Sequence, residues 1–200
     1  MTPAHPEEPL LQGPRVLLRR WRAEDREALA AINADPVAMQ HFPKCLTRAE
    51  SNALADKIEE HFVQHGFGPW ALEIPGVSEM AGVVGLMHVG FEAHFTPAIE
   101  IGWRLAPELW GRGYVTEAAR CALDFGFLRL ALPRIVAFTV PANTRSLGVM
   151  QRLGMSSEMK DDFLHPRLPA GHALRLHRLY QIHQRTWRDW RSGEDLPLIA

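Results

Sequence analysis

Residues 99–118 constrain the fold more than any other segment, because a strand, a glycine turn and a helix follow one another there without a gap. The alternating residues at 98–105 predict a strand, and the apolar spacing after 114 predicts a helix. Gly111 and Gly113 lie between the two, where a residue without a Cβ permits a sharp turn and close approach of a ligand. Such a turn directs main-chain N–H groups and a helix N-terminus at one point, which suits an anion such as a pyrophosphate.

Two familiar phosphate-binding motifs are excluded. A Walker phosphate loop requires Gly-Lys-Ser/Thr, which does not follow Gly111. A dinucleotide fingerprint requires glycine or alanine three residues after Gly113, where Thr116 stands. On the glycines alone, an ordinary strand-to-helix turn stays open.

The segment resembles the acyl-CoA-binding motif of the GNAT acetyltransferase superfamily, which reads Gln/Arg-x-x-Gly-x-Gly/Ala. Trp110, Gly113 and Val115 take its three marked positions, so only the central glycine matches strictly. The string at 110–118 is more similar to the variant of the RimJ/RimL-like branch, which acetylates ribosomal-protein N-termini. The resemblance implies that cofactor contacts come from Leu105, Gly111, Arg112, Gly113, Tyr114, Val115 and Thr116.

A second segment continues the resemblance. Residues 134–146 followed by 149–155 resemble the second cofactor motif of the family, a strand, an Asn-x-x-Ser turn and a helix that ends at Leu-Gly-Met. The resemblance adds Asn143 and Ser146 to the cofactor contacts, and it implies that the Ser146 hydroxyl assists the leaving thiolate. Asn143 is also expected to cap the helix that it precedes. No Gly-x-Ser-x-Gly elbow surrounds Ser146, so it is not a hydrolase nucleophile.

Transfer of an acyl group to an amine needs a base as well as an acid. Glu100 lies on the strand that leads to the glycine turn, and its side chain faces away from Ile99 and Ile101. Many GNAT enzymes use a glutamate on this strand as the base, so the resemblance assigns that role to Glu100. A solvent-facing or arginine-paired carboxylate is the open alternative. Tyr180 is a second candidate acid, although a tyrosine at the edge of the core is the better interpretation.

The chain as a whole is predicted to be α/β. Thr47 is a candidate N-cap, with Glu50 placed for a capping box. Strands are predicted at 15–21, 69–74, 82–89, 98–105, 135–140 and 174–182, and helices at 23–33, 47–65, 115–130 and 144–153. The resemblance covers roughly residues 15–182 and implies a GNAT-type acyl-CoA N-acyltransferase fold, a central mixed, mostly antiparallel sheet flanked by helices. We expect a flexible N-terminal segment at 1–14, a single domain at 15–186 and a C-terminal tail at 187–200.

Composition excludes several classes of protein. The formal net charge of −1 gives no reason to expect nucleic acid, and no long apolar run predicts a membrane span. Residues 1–9 lack the basic start and apolar core of a signal peptide, and Cys45 and Cys121 are too few for a disulfide framework. A cytoplasmic location is the simplest expectation.

The histidines invite a metal hypothesis that the sequence does not support. His61 and His65 are four residues apart on a predicted helix, but the glutamate of a His-Glu-x-x-His site is absent. Solvated or hydrogen-bonded histidines are the better interpretation, so we expect no metal.

These inferences lead to one predicted activity. The chain is expected to transfer an acetyl group from acetyl-CoA, as co-substrate, to the primary amine of a protein N-terminus or a small molecule. The loop at 162–172 is expected to help form the acceptor pocket. A catalytically silent acyl-CoA sensor on the same fold is the alternative, and a homodimer is left open.

Overall fold

A computed structural model describes residues 10–192, and the predictions for residues 1–9 and 193–200 lie outside this range. The strands are β1 (Leu11–Gln12), β2 (Leu17–Arg19), β3 (Pro69–Ile74), β4 (Ser78–His88), β5 (Ile99–Leu105), β6 (Arg134–Thr139), β7 (Phe163–Leu164) and β8 (Leu176–His183). The helices are α1 (Asp25–Ala34), α2 (Arg48–His65), α3 (Tyr114–Asp124), α4 (Thr144–Arg152) and α5 (Gln184–Ser192).

The strands form one sheet in the order β1-β2-β3-β4-β5-β6-β8-β7. Every neighbouring pair is antiparallel except β5 and β6, which are parallel because the chain crosses over through α3. The predicted mixed, mostly antiparallel sheet is therefore confirmed.

The parallel pair opens a gap in the sheet. β4 and β5 are paired along their lengths, from Gly82 opposite Leu105 to His88 opposite Ile99. β5 and β6 share a single register position, Glu100 opposite Val136. Beyond Glu100 the two strands diverge, and the carboxyl-terminal half of β5 is free on that side to line a ligand site.

Helices cover both faces of the sheet because side chains alternate along each strand. On one face, the Leu86 side chain lies next to Gly126, which follows α3. On the other face, Arg104 contacts Asn33 of α1, and Ala71 packs with Leu29 of the same helix. Glu100 and Arg104 are four residues apart on β5. Because side chains alternate along a strand, both lie on the face that α1 and α2 cover.

Local signals in the sequence account well for two helix starts. Thr47 caps α2, and the reciprocal bonds with Glu50 complete the predicted capping box. Asn143 caps α4 by accepting a hydrogen bond from the Ser146 N–H over 3.2 Å, as predicted.

The carboxyl-terminal part of the described chain differs from the prediction. The boundary predicted at residue 187 falls inside α5, where Trp187 is 1% exposed. The Trp187 indole donates to Asp124 Oδ1 over 3.0 Å, and Arg191 Nε donates to the same oxygen over 2.6 Å. The packed unit thus continues to Ser192, because this buried carboxylate ties α5 to α3.

The smaller differences between the predicted and the observed helices and strands have local causes. The helix predicted at 115–130 ends as an α-helix at Asp124 and continues as a π-helical turn, Phe125–Arg129. β1 and β7 were not predicted, because two residues are too few to show an alternating pattern. β1 lies in the segment 1–14 that is predicted to be flexible, yet it pairs with β2 and Leu11 is 7% exposed, so the sheet begins before residue 15. Among residues 10–192, none of the helices combines the length and the apolar character that crossing a bilayer requires.

Candidate active site

A cavity of about 990 Å³ begins at the gap between β5 and β6. It is lined by the glycine turn, the first turns of α3 and α4, the α1–α2 loop and the loop between β7 and β8. Of the predicted site residues, the lining includes Glu100, Leu105, Gly111, Gly113, Tyr114, Val115, Thr116, Asn143 and Ser146. The fold therefore brings the two predicted motifs to one place.

The glycine turn has the backbone geometry that an anion site requires. Gly111 and Gly113 have φ of 76° and 84°, values that favour glycine. Gly113 is the N-cap of α3, and the first helical hydrogen bond there runs from the Glu117 N–H to the Gly113 carbonyl. The N–H groups of the preceding helical residues have no acceptor within the helix, and the positive end of the helix dipole lies at the same point.

Arg15 holds this turn from outside the cavity. Its guanidinium pairs with Glu117 over 2.8 Å, donates to the Arg112 carbonyl over 3.2 Å and lies 5.1 Å from the centre of the Tyr114 ring. The predicted cofactor contact Arg112 is itself exposed and is not part of the cavity lining.

Ser146 lies at the first turn of α4, opposite β5. Its hydroxyl oxygen accepts a hydrogen bond from the Trp103 indole N–H over 3.1 Å. Because the indole can only donate, the hydroxyl proton of Ser146 stays available for another acceptor. Below it, the Asn143 amide donates to Thr139 Oγ1 over 3.0 Å, so the whole turn is held to β6.

Glu100 is half-buried on the floor of the cavity, at the point where β5 and β6 diverge. Burial raises the pKa of Glu100 to about 7, although the nearby positive charge of Arg167 opposes the shift. A carboxyl group with such a pKa exchanges its proton readily near neutral pH, which is what a general base requires.

Aromatic rings form the wall on the β6 side. Phe138 lies 6.0 Å from His177 and 6.3 Å from His165, and the two imidazoles are 5.0 Å apart, measured between ring centres. Desolvation lowers the pKa of both histidines, so the wall is largely uncharged at neutral pH. Arg167 lies at its rim, donates to the Gly90 carbonyl and covers the Phe91 ring at 5.7 Å.

Arg104 lies on the opposite wall. It donates to Asn33 Oδ1 and its guanidinium lies 4.2 Å from the centre of the Phe42 ring. Burial lowers the pKa of Arg104 to about 10, which leaves it positively charged at neutral pH. The charged side chains that line the cavity are one carboxylate, Glu100, and the arginines Arg104, Arg145, Arg152 and Arg167.

Sequence reasoning missed several of these residues. Arg104 shares the face of Glu100 on β5, so the alternation of the strand was an available signal. No pattern in the sequence pointed to Trp103, because its contact with Ser146 joins two segments that are far apart in the chain. His165 lies in the cavity wall, as expected for the loop at 162–172, whereas Tyr180 is 6% exposed in the hydrophobic core and does not line the cavity.

Comparisons with known proteins agree with this geometry. A family model described as "Acetyltransferase (GNAT) domain" matches residues 15–156. The uncharacterized N-acetyltransferase YnaD of Bacillus subtilis is 27% identical over 174 residues, which are 86% of this chain and 96% of the relative.

Solved structures share the fold. A GNAT-family acetyltransferase from Bacillus anthracis superimposes with a TM-score of 0.72 at 26% identity, over 88% of this chain and 99% of that one. Spermidine N-acetyltransferase from Vibrio cholerae, solved in complex with CoA and spermine, superimposes with a TM-score of 0.68 at 18% identity, over 87% of this chain and 98% of that one.

Proposed function

The chain belongs to the GNAT family of acetyl-CoA-dependent N-acetyltransferases, and from that premise we propose that its acceptor is the α-amine of a peptide or protein N-terminus. The observation that carries the proposal is the half-buried carboxyl group of Glu100, with a pKa of about 7, in the same cavity as the α3 N-terminus.

The proposed site holds the acyl donor on the glycine turn. The pyrophosphate of acetyl-CoA accepts hydrogen bonds from main-chain N–H groups around Gly113, in a turn whose positive φ values at Gly111 and Gly113 favour glycine. The thioester extends along the free side of β5 toward Ser146 and Glu100, which positions it next to the acceptor.

In the proposed reaction, Glu100 takes a proton from the acceptor ammonium, directly or through water, and the free amine attacks the thioester carbonyl. The C–S bond then breaks, and the acylated nitrogen gives up its second proton. Ser146 either donates its hydroxyl proton to the leaving thiolate and is reprotonated by the one from nitrogen, or donates only a hydrogen bond while that proton reaches the sulfur through water. The Trp103 N–H holds the Ser146 oxygen in place and leaves the hydroxyl proton free for the sulfur.

The pKa of Glu100 favours an α-amine over an alkylamine. An α-ammonium group has a pKa of about 7.7–8.0 and a lysine ammonium about 10.4. A base with a pKa of about 7 accepts a proton from the α-ammonium at little free-energy cost. The pKa of the lysine ammonium is about 2.5 units higher, so the same transfer costs correspondingly more.

The charge of the cavity also disfavours a polyamine. A polycation would meet a single carboxylate, Glu100, together with Arg104 of β5 and Arg167 of the β7–β8 loop. A peptide brings a single ammonium together with carbonyl oxygens that arginines can bind. The spermine of the Vibrio cholerae structure is therefore not the acceptor that we propose here. The similarity of residues 110–118 to the ribosomal-protein branch supports the same choice.

A silent acyl-CoA sensor would need no room beyond the cofactor. The cavity instead extends past the glycine turn to Met87, His165 and Leu174, so it has space for an acceptor. This extension favours an enzyme over a sensor.

The proposal is tested with three acceptors at equal concentration: a peptide with a free α-amine, the same peptide blocked at its N-terminus with a lysine added, and spermidine. Acetyl transfer is measured by release of free CoA, and mass spectrometry locates the acetyl group. We expect the free α-amine to be acetylated with the highest kcat/KM. Preferential acetylation of lysine or spermidine contradicts the α-amine proposal and leaves the family assignment intact.

A further inference from the structure

Three histidine rings converge outside the cavity, at the end of the sheet where α2 and β4 finish. His61 and His65 lie one turn apart on α2, and His88 is the last residue of β4. The ring centres are 4.5 Å apart for His61 and His65, 4.2 Å for His65 and His88, and 5.3 Å for His61 and His88. One ring nitrogen from each lies within 4.8 Å of the other two.

The tautomer of His61 is set by its surroundings. Its Nδ1 lies 2.8 Å from the Phe67 carbonyl oxygen, which can only accept, so Nδ1 carries the proton. The lone pair of Nε2 therefore points toward the other rings. A metal-binding histidine commonly donates its second ring N–H to a main-chain carbonyl in this way, which fixes the orientation of the ligand nitrogen.

The spacing of one pair of these nitrogens matches that of two ligands on one metal ion. His61 Nε2 lies 3.1 Å from His88 Nδ1. Two ligands at 2.0–2.1 Å from a tetrahedral Zn²⁺ are roughly 3.3 Å apart. The main-chain N–H of His88 also donates to His61 Nε2 over 3.1 Å, and this bond gives way when a cation takes the lone pair.

We propose that His61, His65 and His88 form a binding site for a divalent transition-metal cation of the Zn²⁺ class. Neutral imidazole suits such cations, whereas Mg²⁺ and Ca²⁺ prefer oxygen ligands. His65 and His88 are exposed, so water can complete the coordination.

The position of His65 also favours a cation here. His65 is the last residue of α2, where the negative end of the helix dipole stabilises positive charge.

This site departs from the expectation of no metal. That expectation weighed His61 with His65 and the carboxyl-terminal histidines His165, His172, His177 and His183, and it did not include His88. The third ligand comes from a strand that follows α2 and β3 in the chain, so a motif of local spacing does not include it.

Metal binding would tie the last turn of α2 to β4, next to Met87, which lines the cavity. A stabilising effect on folding is therefore expected in addition to binding.

The experiment uses the full chain without an affinity tag, stripped of metal with EDTA and dialysed. Zn²⁺ is titrated by calorimetry, and Tm is measured with and without one equivalent of Zn²⁺. We expect one Zn²⁺ per chain, a rise in Tm, and no competition from Mg²⁺. His65→Gln and His88→Gln are each expected to lower the affinity at least tenfold and to abolish the rise in Tm.

His183→Gln is the matched control, because His183 is also exposed at the end of a strand but lies outside the cluster. It should bind Zn²⁺ as the parent does. His61 is left unchanged, since loss of its bond to Phe67 would confuse folding with binding. The proposal is overturned if Zn²⁺ binding survives in both His65→Gln and His88→Gln. It is also overturned if the parent chain binds no Zn²⁺. Either result leaves a hydrogen-bonded cluster of surface histidines.

Discussion

The Trp103 indole N–H donates to the Ser146 hydroxyl over 3.1 Å, and this bond joins β5 to the first turn of α4 across the open part of the sheet. It occupies one lone pair of the hydroxyl and leaves the proton for another acceptor. The bond gives Ser146 a fixed direction before any ligand binds, which is the arrangement expected of a preorganised donor.

Removal of the Ser146 hydroxyl should slow chemistry more than binding. We expect Ser146→Ala to lower kcat by roughly ten- to a thousandfold, the range typical for loss of one positioned donor or acid, with little change in CoA affinity. Steady-state kinetics and calorimetry measure the two effects. An unaltered kcat on an identified acceptor would remove Ser146 from the mechanism.

Trp103→Phe tests the positioning role separately. An aromatic ring smaller than the indole is kept, while the N–H donor to Ser146 is lost. We expect a smaller fall in kcat than in Ser146→Ala, and no further fall when the two changes are combined. Additive losses in the double variant would show that Trp103 acts independently of Ser146.

The pKa of Glu100 predicts the pH dependence of the reaction. The base works only when it is unprotonated, so kcat/KM should rise with pH through an apparent pKa of about 7. Glu100→Gln should depress kcat/KM most at low pH, and less at high pH, where the acceptor amine is already neutral. A parent-like pH–rate profile in this variant would leave Glu100 as a structural residue of β5.

The same residue should weaken the fold at high pH. The folded-state pKa of Glu100 is raised from 4.5 to about 7, so the folded state binds more protons than the unfolded state between these values. Stability is therefore lost as pH rises from about 4.5 to 7. Glu100→Gln removes this cost, and urea unfolding at pH 8 should show the variant to be more stable by about 1–3 kcal/mol, with a much smaller difference at pH 4. Equal differences at both pH values would contradict the raised pKa.

A side chain at Gly113 should weaken CoA binding, whereas the same substitution at a glycine with a similar φ outside the cavity should not. Gly113→Leu puts a side chain on a residue of the cavity lining that has φ of 84° and lies next to Arg15, and should lower CoA affinity at least tenfold. Gly76→Leu is the matched control, because Gly76 has φ of 74° in the β3–β4 turn and lies outside the cavity. Equal CoA affinity in folded Gly113→Leu would place the pyrophosphate elsewhere.

The α5 helix should contribute to global stability. Trp187→Ala removes a fully buried indole and its bond to Asp124, and should lower the free energy of unfolding by about 3–5 kcal/mol. Arg188→Ala, on the exposed side of the same helix, should change it by less than about 0.5 kcal/mol. Similar values for the two variants would mean that α5 is not part of the cooperative unit.

The sequence by itself determined the features that depend on neighbouring residues. The capping box of Thr47 and Glu50, the Asn143 cap and the left-handed glycines before α3 are set by backbone chemistry within a few residues. Such interactions need no tertiary contact, so their patterns predict them directly. The order of these elements and the family resemblance predicted the fold.

Only the tertiary structure decided which distant groups meet. The pKa of Glu100 depends on how much water the surrounding walls exclude, and the direction of the Ser146 hydroxyl depends on an indole from β5. His88 likewise lies beside the α2 histidines, and Trp187 beside Asp124, because segments far apart in the chain pack together. Desolvation and long-range packing are properties of the folded chain, so local sequence patterns carry no signal of them.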